Sequence, residues 1–244
     1  ADTLDRLGDC AGAEIHYREL ANEDQDPRIL ARLAASQAAG QGVPGPAWAT
    51  LSEAAKDAGQ AEELLVICLE RLRELDHHRT GMQLALRALE EFPEAGRLWD
   101  QLGQFQYQLE DPSALKSLEQ ARTLCPENPA IHRHRGAALQ ARGDFDGATA
   151  AYGEALKRDP EDHETRYALL ALHRETPEPS LIPHLEQGLA DSKLSLDRRI
   201  AAGFALGEVR RRQGETDAAF DAFRQANQLQ RRQRPFNRQG HEAM

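Results

Sequence analysis

The sequence predicts an all-α fold, a solenoid of stacked antiparallel helix pairs, on three observations. Pro93, Pro126 and Pro160 fall 33 and 34 residues apart, each closing an amphipathic stretch. Self-similarity at about 34 residues marks stacked helix–turn–helix units, which bury their apolar faces only against their neighbours. Aromatic residues make up 5 % of the chain, while Ala, Leu, Arg, Glu and Gln dominate. That composition suits helices packed through small residues rather than strands. Turn signals also fall inside the period, at Glu110-Asp111-Pro112, Gly143-Asp144 and Gly214-Glu215.

The solenoid is expected over 1–234, with a tail or linker at 235–244. Residues 1–27 read as a partial unit: Leu7-Gly8-Asp9, then Ala13, Tyr17 and Leu20, have the form of a turn and a second helix. The chain is therefore expected to start mid-repeat, with native sequence upstream. The unit at 28–61 pairs Ile29 to Ala39 with Ala47 to Ala58 across a Gly/Pro loop. At 62–95, Leu65, Leu69 and Leu72 mark one helix and Gly81, Ala85 and Ala88 the next, ended by Pro93. The unit at 96–128 has Trp99, Leu102 and Gly103, then Ala114, Leu118, Ala121 and Pro126, with a turn one residue short. At 129–162, Gly136 and Leu139 precede the Gly143-Asp144 turn, and Ala148, Tyr152, Ala155 and Pro160 follow it. Gly136 and Ala148 permit close approach of the two helices of a pair, Tyr152 is expected to fill the space toward the next pair, and Pro160 cannot continue a helix. The unit at 163–199 is irregular: His163 to Arg174 reads as a first helix, Thr176-Pro177-Glu178-Pro179 breaks the pattern, and Leu181 to Leu189 is a shortened partner. The last unit, 200–234, carries Ala205, Leu206, Gly207, Ala219, Phe223 and Ala226 and a long final helix reaching about Arg234, with Thr216 expected as its N-cap and Asp217 in its first turn.

The stretch from Pro129 to Asp162 resembles a tetratricopeptide repeat. It carries the pattern's small residue, aromatic, small residue and proline at their offsets, although His132 and Arg135 stand where an aromatic and a Leu are usual. Trp99, Leu102 and Gly103 repeat its W-x-x-L-G arrangement. The resemblance implies a right-handed superhelical solenoid of the tetratricopeptide type, a non-catalytic scaffold whose first helices line a concave groove for a protein or extended peptide. On that basis the groove residues are Arg97, Asp100, Gln101, Gln104, Tyr107, Arg133, His134, Gln140, Tyr167, Arg174, Glu208 and Arg211. Arg, Gln and Tyr suit hydrogen bonding and stacking against an extended peptide. The Lys/Asn arrangement by which some chaperone adaptors clamp a C-terminal carboxylate is not recognisable.

Composition and motifs narrow the partners. Forty acidic against thirty basic residues leave a net charge of −10, without a basic stripe for nucleic acid or for an anionic membrane. No apolar run approaches the length of a membrane span, so no membrane insertion is expected. Cys10, Cys68 and Cys125 are odd in number and lack CxxC spacing. They read as core residues of a reducing compartment, hence a cytoplasmic protein, or a periplasmic one if a signal was removed. Gly40 to Gly45 spells GxGxxG but follows a helical Ala/Leu stretch and contains Pro44, so it reads as a helix-connecting loop. His132 and His134 stand two apart, about 200° around a helix, and cannot share an ion; His77-His78 sits at a turn. No P-loop, GxSxG or Cys–His pairing is present. Neither catalytic residues, nor a metal, nor a cofactor is expected.

Phe204 to Gly207, Gly214, Asp217 to Phe220, Ala226-Asn227, Arg231-Arg232 and Pro235-Phe236 resemble a more specific setting. It is the last repeat of bacterial proteins that join tetratricopeptide repeats to a C-terminal sulfotransferase domain. Phe236 stands where Tyr is more frequent, and Gly207-Glu208 departs somewhat. The donor-binding run of that catalytic domain is not present in 1–244. The resemblance thus implies the recognition region of a sulfotransferase-like protein, in contact with a downstream catalytic domain. The alternative is a stand-alone adaptor for assembly of a secretion, pilus or cell-envelope complex.

Overall fold

The structure is a computed structural model that describes residue 4 and residues 9–23, 26–54, 58–172 and 181–233. Among the described residues are thirteen helices and no strand. In chain order they are α1 (Cys10–Glu23), α2 (Pro27–Gln41), α3 (Gly45–Ala54), α4 (Ala58–Glu74), α5 (His78–Glu91), α6 (Gly96–Gln108), α7 (Ala114–Leu124), α8 (Pro129–Ala141), α9 (Phe145–Arg158), α10 (His163–Leu172), α11 (Leu181–Ala190), α12 (Leu196–Arg212) and α13 (Thr216–Gln233). The fold is all-α, built of antiparallel helix pairs. It divides into two compact units, residues 1–138 and 139–244.

In the first unit each first helix packs on the next, α2 on α4 and α4 on α6, while α3, α5 and α7 pair with their predecessors. The core is a stripe of small and branched residues. Ala31, Ala34, Ala35 and Ala38 on α2 meet Leu65, Cys68, Leu69 and Leu72 on α4, and Leu98, Leu102 and Phe105 on α6 continue it. The second unit repeats the arrangement with α10 on α12, and its core joins Leu185 and Leu189 to Ile200, Leu206, Val209 and Leu229.

Two chemical devices recur at the turns. Within pairs, the chain reverses through a left-handed residue: Gly42 (φ 67°), Asp76 (60°), Glu110 (56°), Gly143 (81°) and Gly214 (81°). At four of these the next amide reaches the carbonyl five residues back: His77 to Leu72, Asp111 to Gln106, Asp144 to Leu139 and Glu215 to Arg210, at 2.8–3.0 Å. This closure satisfies helix-end carbonyls, and it holds Asp76 and Glu110 in a conformation that glycine adopts more readily. Between pairs, helices stop before proline. Phe92, Cys125 and Asp159 take φ of −123°, −131° and −129°, out of the α region, as a following proline requires. GxGxxG lies across the α2–α3 turn, with Gly42 as its left-handed residue, between two helices as expected.

Asp26 caps α2 through Arg28 N at 2.8 Å, and Asp144 caps α9 through Gly147 N at 2.9 Å. Thr216 does not cap the final helix. Ala219 N bonds to Glu215 O at 2.9 Å, so Thr216 already stands in the first turn and Glu215 is the cap residue. The reason is the left-handed Gly214, which tightens the turn. Close approach through small residues holds at Gly103, where a Cβ would lie 2.6 Å from Leu118 Cγ. Tyr152 is buried, and its hydroxyl donates to Gln140 Oε1 at 3.0 Å, across its own pair.

Candidate functional site

In the first unit, α4, α6 and α8 bring one polar network together. Asp100 Oδ1 lies 2.8 Å from His134 Nδ1, and Asp100 Oδ2 accepts from Gln104 Nε2 at 3.0 Å. The i,i+4 spacing on α6 places Gln104 one turn above Asp100, and α8 brings His134 across. These residues are less open than groove-facing positions read from sequence. Asp100, Gln101 and Gln104 are only 6 %, 4 % and 9 % exposed, because the neighbouring first helices crowd over α6. Gln101 Oε1 is buried without a hydrogen-bond partner among the described residues. Arg97 and Tyr107 are exposed and Arg133 is half-buried. Glu70, at the exposed edge of α4, lies within the electrostatic reach of the network without a hydrogen bond to it: partial desolvation raises its carboxyl pKa, Arg73 and Arg97 oppose that, and Glu74 and Asp100 reinforce it. Sequence reasoning misses Glu70, because residues 62–95 carry few landmarks from which to set an inner-face register.

The HxH pair separates as helical geometry requires. His132 is buried, with Nε2 2.7 Å from the Pro126 carbonyl, while His134 turns to Asp100. His78, at the turn, has Nε2 3.6 Å from Asp76 Oδ1. Cys68 is fully buried, and burial pushes its thiol well above the ordinary range. It is a core residue rather than a nucleophile.

In the second unit, exposed Tyr167 on α10 lies against Phe204 on α12, ring centroids 6.0 Å apart, and Phe204 is 6.4 Å from Phe223 on α13. One turn beyond Phe204, Glu208 accepts from Arg211 Nη2 at 2.8 Å and from Arg212 Nε at 2.5 Å. The Arg211 hydrogen bond is the largest cause lowering the Glu208 carboxyl pKa, against the opposing effect of burial; Arg212 adds to the lowering. The Arg211 side chain remains 60 % exposed. Gln140 is engaged by Tyr152 and braces its helix pair. Arg174 lies outside the described residues, as do Thr176 to Pro179 and the 235–244 tail. Most of the sequence-predicted residues that the structure describes gather in one patch within each unit. Asp100, Gln101, Gln104 and His134 cluster around a network in one, with Arg97 and Tyr107 at its surface; Tyr167, Glu208 and Arg211 border an aromatic ladder in the other.

With this geometry in view, comparison with known proteins bears on one stretch. Residues 129–172 match the tetratricopeptide repeat family model. That segment contains a tetratricopeptide repeat. Solved structures with a related arrangement include a thermophilic tetratricopeptide repeat protein of Thermus thermophilus, at 23 % identity over 68 % of this chain and 91 % of that one, with a TM-score of 0.45. MamA from Desulfovibrio magneticus RS-1 is similar at 18 % identity over 86 % of this chain and 98 % of that one, TM-score 0.41. A Thermobaculum terrenum O-GlcNAc transferase mutant is similar at 16 % identity over 62 % of this chain but only 26 % of its own, TM-score 0.45. Curated protein sequences gave no significant match. Among the described residues no helix is long and apolar enough to cross a membrane.

Proposed function

We propose that the chain is a tetratricopeptide-type scaffold that binds an extended peptide segment along the first-helix face of its first unit. The observation that carries this reading is the Asp100–Gln104–His134 network. Buried Asp100 and Gln104, hydrogen-bonded with half-buried His134, form a rigid floor, and exposed Arg97 and Tyr107 stand beside it. Such an arrangement supplies what an extended peptide needs: a cation for an acidic side chain, an aromatic face, and fixed hydrogen-bonding groups that lose little entropy on binding. The aromatic ladder under Tyr167 is a second such surface in the second unit.

The resemblance of Phe204 to Pro235-Phe236 to the repeat that precedes sulfotransferase domains supports a finer reading. The scaffold then serves as the recognition region of a larger sulfotransferase-like protein, itself supplying no catalytic group and no cofactor. Reading the gene downstream for a strand–loop–helix with an Arg-Ser-Gly-Thr-like run tests that finer reading alone.

The binding reading is tested by partner recovery and peptide-array binding with Arg97→Glu, Arg133→Glu and Tyr107→Ala, with Tyr167→Ala probing the second surface. Arg97→Glu is expected to weaken binding at least about tenfold, a loss of about 1.4 kcal/mol, with helicity unchanged. Recovery equal to the unmodified protein across the first three variants refutes the assignment to the first-unit face.

A further inference from the structure

Three side chains of the second unit converge at the start of α10. Glu161, in the turn after Pro160, His163, the first residue of α10, and His184 on α11 each offer a ligand atom, and these atoms lie within 4.8 Å of one another. Neither the helix packing nor the peptide-binding reading accounts for them.

His163 is the decisive member. It is 0 % exposed, and neither ring nitrogen has a hydrogen-bond partner among the described residues. An imidazole stripped of water without a partner carries a desolvation cost, so a buried one with both nitrogens unpaired calls for a ligand. Its position is built by close packing. A Cβ at Gly188, one helical turn beyond His184 on α11, would fall 2.3 Å from His163 Nε2, so only glycine there lets the ring lie against that helix. Burial is the first of the causes that lower the His163 pKa, with His184 next and smaller effects from Arg166 and Arg198, opposed by Glu161. Both arginines are already engaged, Arg166 with the Pro160 carbonyl and Arg198 with Asp159 Oδ2.

His184 Nε2 lies 3.2 Å from Glu161 Oε2, yet that nitrogen makes no hydrogen bond there. Two ligands of one tetrahedral ion, at about 2.0–2.2 Å each, stand about 3.3 Å apart. The spacing thus suits two ligands of a shared ion. The local turns hold two of the ligands in place: Glu161 N donates to Asp159 Oδ1 at 3.1 Å, fixing the turn that carries Glu161, and Asp162 Oδ1 accepts from Thr165 N at 3.1 Å, fixing the first turn of α10 with His163. Glu161 and His184 are partly exposed, which leaves an entry path and room for the modest contraction an ion requires.

We propose that Glu161, His163 and His184 form a site for a divalent transition-metal ion of the zinc class, with a fourth coordination position open to water or to a partner's side chain. Two imidazoles and one carboxylate select such an ion over calcium or magnesium, which take oxygen ligands. The ion would tie the start of α10 to α11.

The test uses the full chain, stripped with a chelator and titrated with Zn²⁺ by calorimetry and with Co²⁺ by visible absorption. One ion per chain is expected, with the intense d–d bands of a tetrahedral Co²⁺ site and a Zn²⁺-dependent rise in Tm. His184→Gln and Glu161→Gln, at partly exposed positions, are expected to weaken binding roughly tenfold or more and to abolish the Tm rise. His16→Gln, at an exposed histidine of the first unit, is expected to change neither. His163→Gln is included where far-UV spectra show it folded; the other two variants carry the test if it is not. Absence of Zn²⁺ uptake, or uptake undiminished in His184→Gln and Glu161→Gln, overturns the proposal.

Discussion

Gly203 and Gly153 are both mid-helix glycines of the second unit, on α12 and α9, and replacing each with alanine separates helix propensity from packing. At Gly153 an added Cβ meets nothing within 4 Å. At Gly203 it would lie 2.9 Å from Ala226 Cβ, 3.1 Å from Leu189 Cδ1 and 3.4 Å from the Ala226 Cα. Ordinary carbon contacts lie at about 3.5–4.0 Å. An alanine methyl has no rotamer by which to retreat, so α12 and α13 must part by several tenths of an ångström. Both variants gain about 0.8–1.0 kcal/mol of helix propensity. Gly203→Ala adds an overpacking cost of about 1–3 kcal/mol. Gly153→Ala should therefore stabilise by nearly 1 kcal/mol, while Gly203→Ala ranges from neutral to about 2 kcal/mol destabilised. Urea unfolding followed by far-UV circular dichroism measures both. The two thermal midpoints should differ by several degrees, at about 2–4 °C per kcal/mol for a chain of this size. Equal stabilisation by both substitutions refutes the close α12–α13 approach.

Two further predictions follow from hydrogen-bonded pairs. Ser117 donates to Gln106 Oε1 at 2.6 Å, both buried, so Ser117→Ala strands the amide oxygen and should cost about 1–3 kcal/mol in urea unfolding. Glu208 has a folded pKa below its unfolded value, so its contribution is present above the unfolded pKa and lost as pH falls through the folded one. Glu208→Gln should accordingly cost about 1 kcal/mol at neutral pH and nothing once the carboxylate is protonated; a penalty independent of pH would contradict the ion-pair account.

The helices are legible in the sequence because their punctuation is local. Pro93, Pro126 and Pro160 fix where chains leave the α region, and Gly143 and Gly214 fix where they reverse. Asp76 and Glu110 reverse the chain in the same way but carry side chains, so the sequence points to these turns only through their neighbours, His77-His78 and Asp111-Pro112. The candidate sites are legible only in part. That His132 and His134 diverge follows from 100° per residue; that His134 meets Asp100 depends on how α8 lies over α6, which no local pattern specifies. The Glu161–His163–His184 cluster is invisible for the same reason. Its members span the irregular unit, and it is Gly188, an unremarkable helical glycine in sequence, that lets His163 in.

The sealed thiol of Cys68 has a practical meaning. With 0 % exposure at the centre of α4 and an ionisation suppressed by burial, it cannot react with an alkylating reagent while the surrounding helices are closed. Cys125, more open at the end of α7, reacts under milder fluctuation. Labelling at the two positions therefore keeps time on different events, one recording the fraying of a helix end and the other the rare moments when the first unit comes apart.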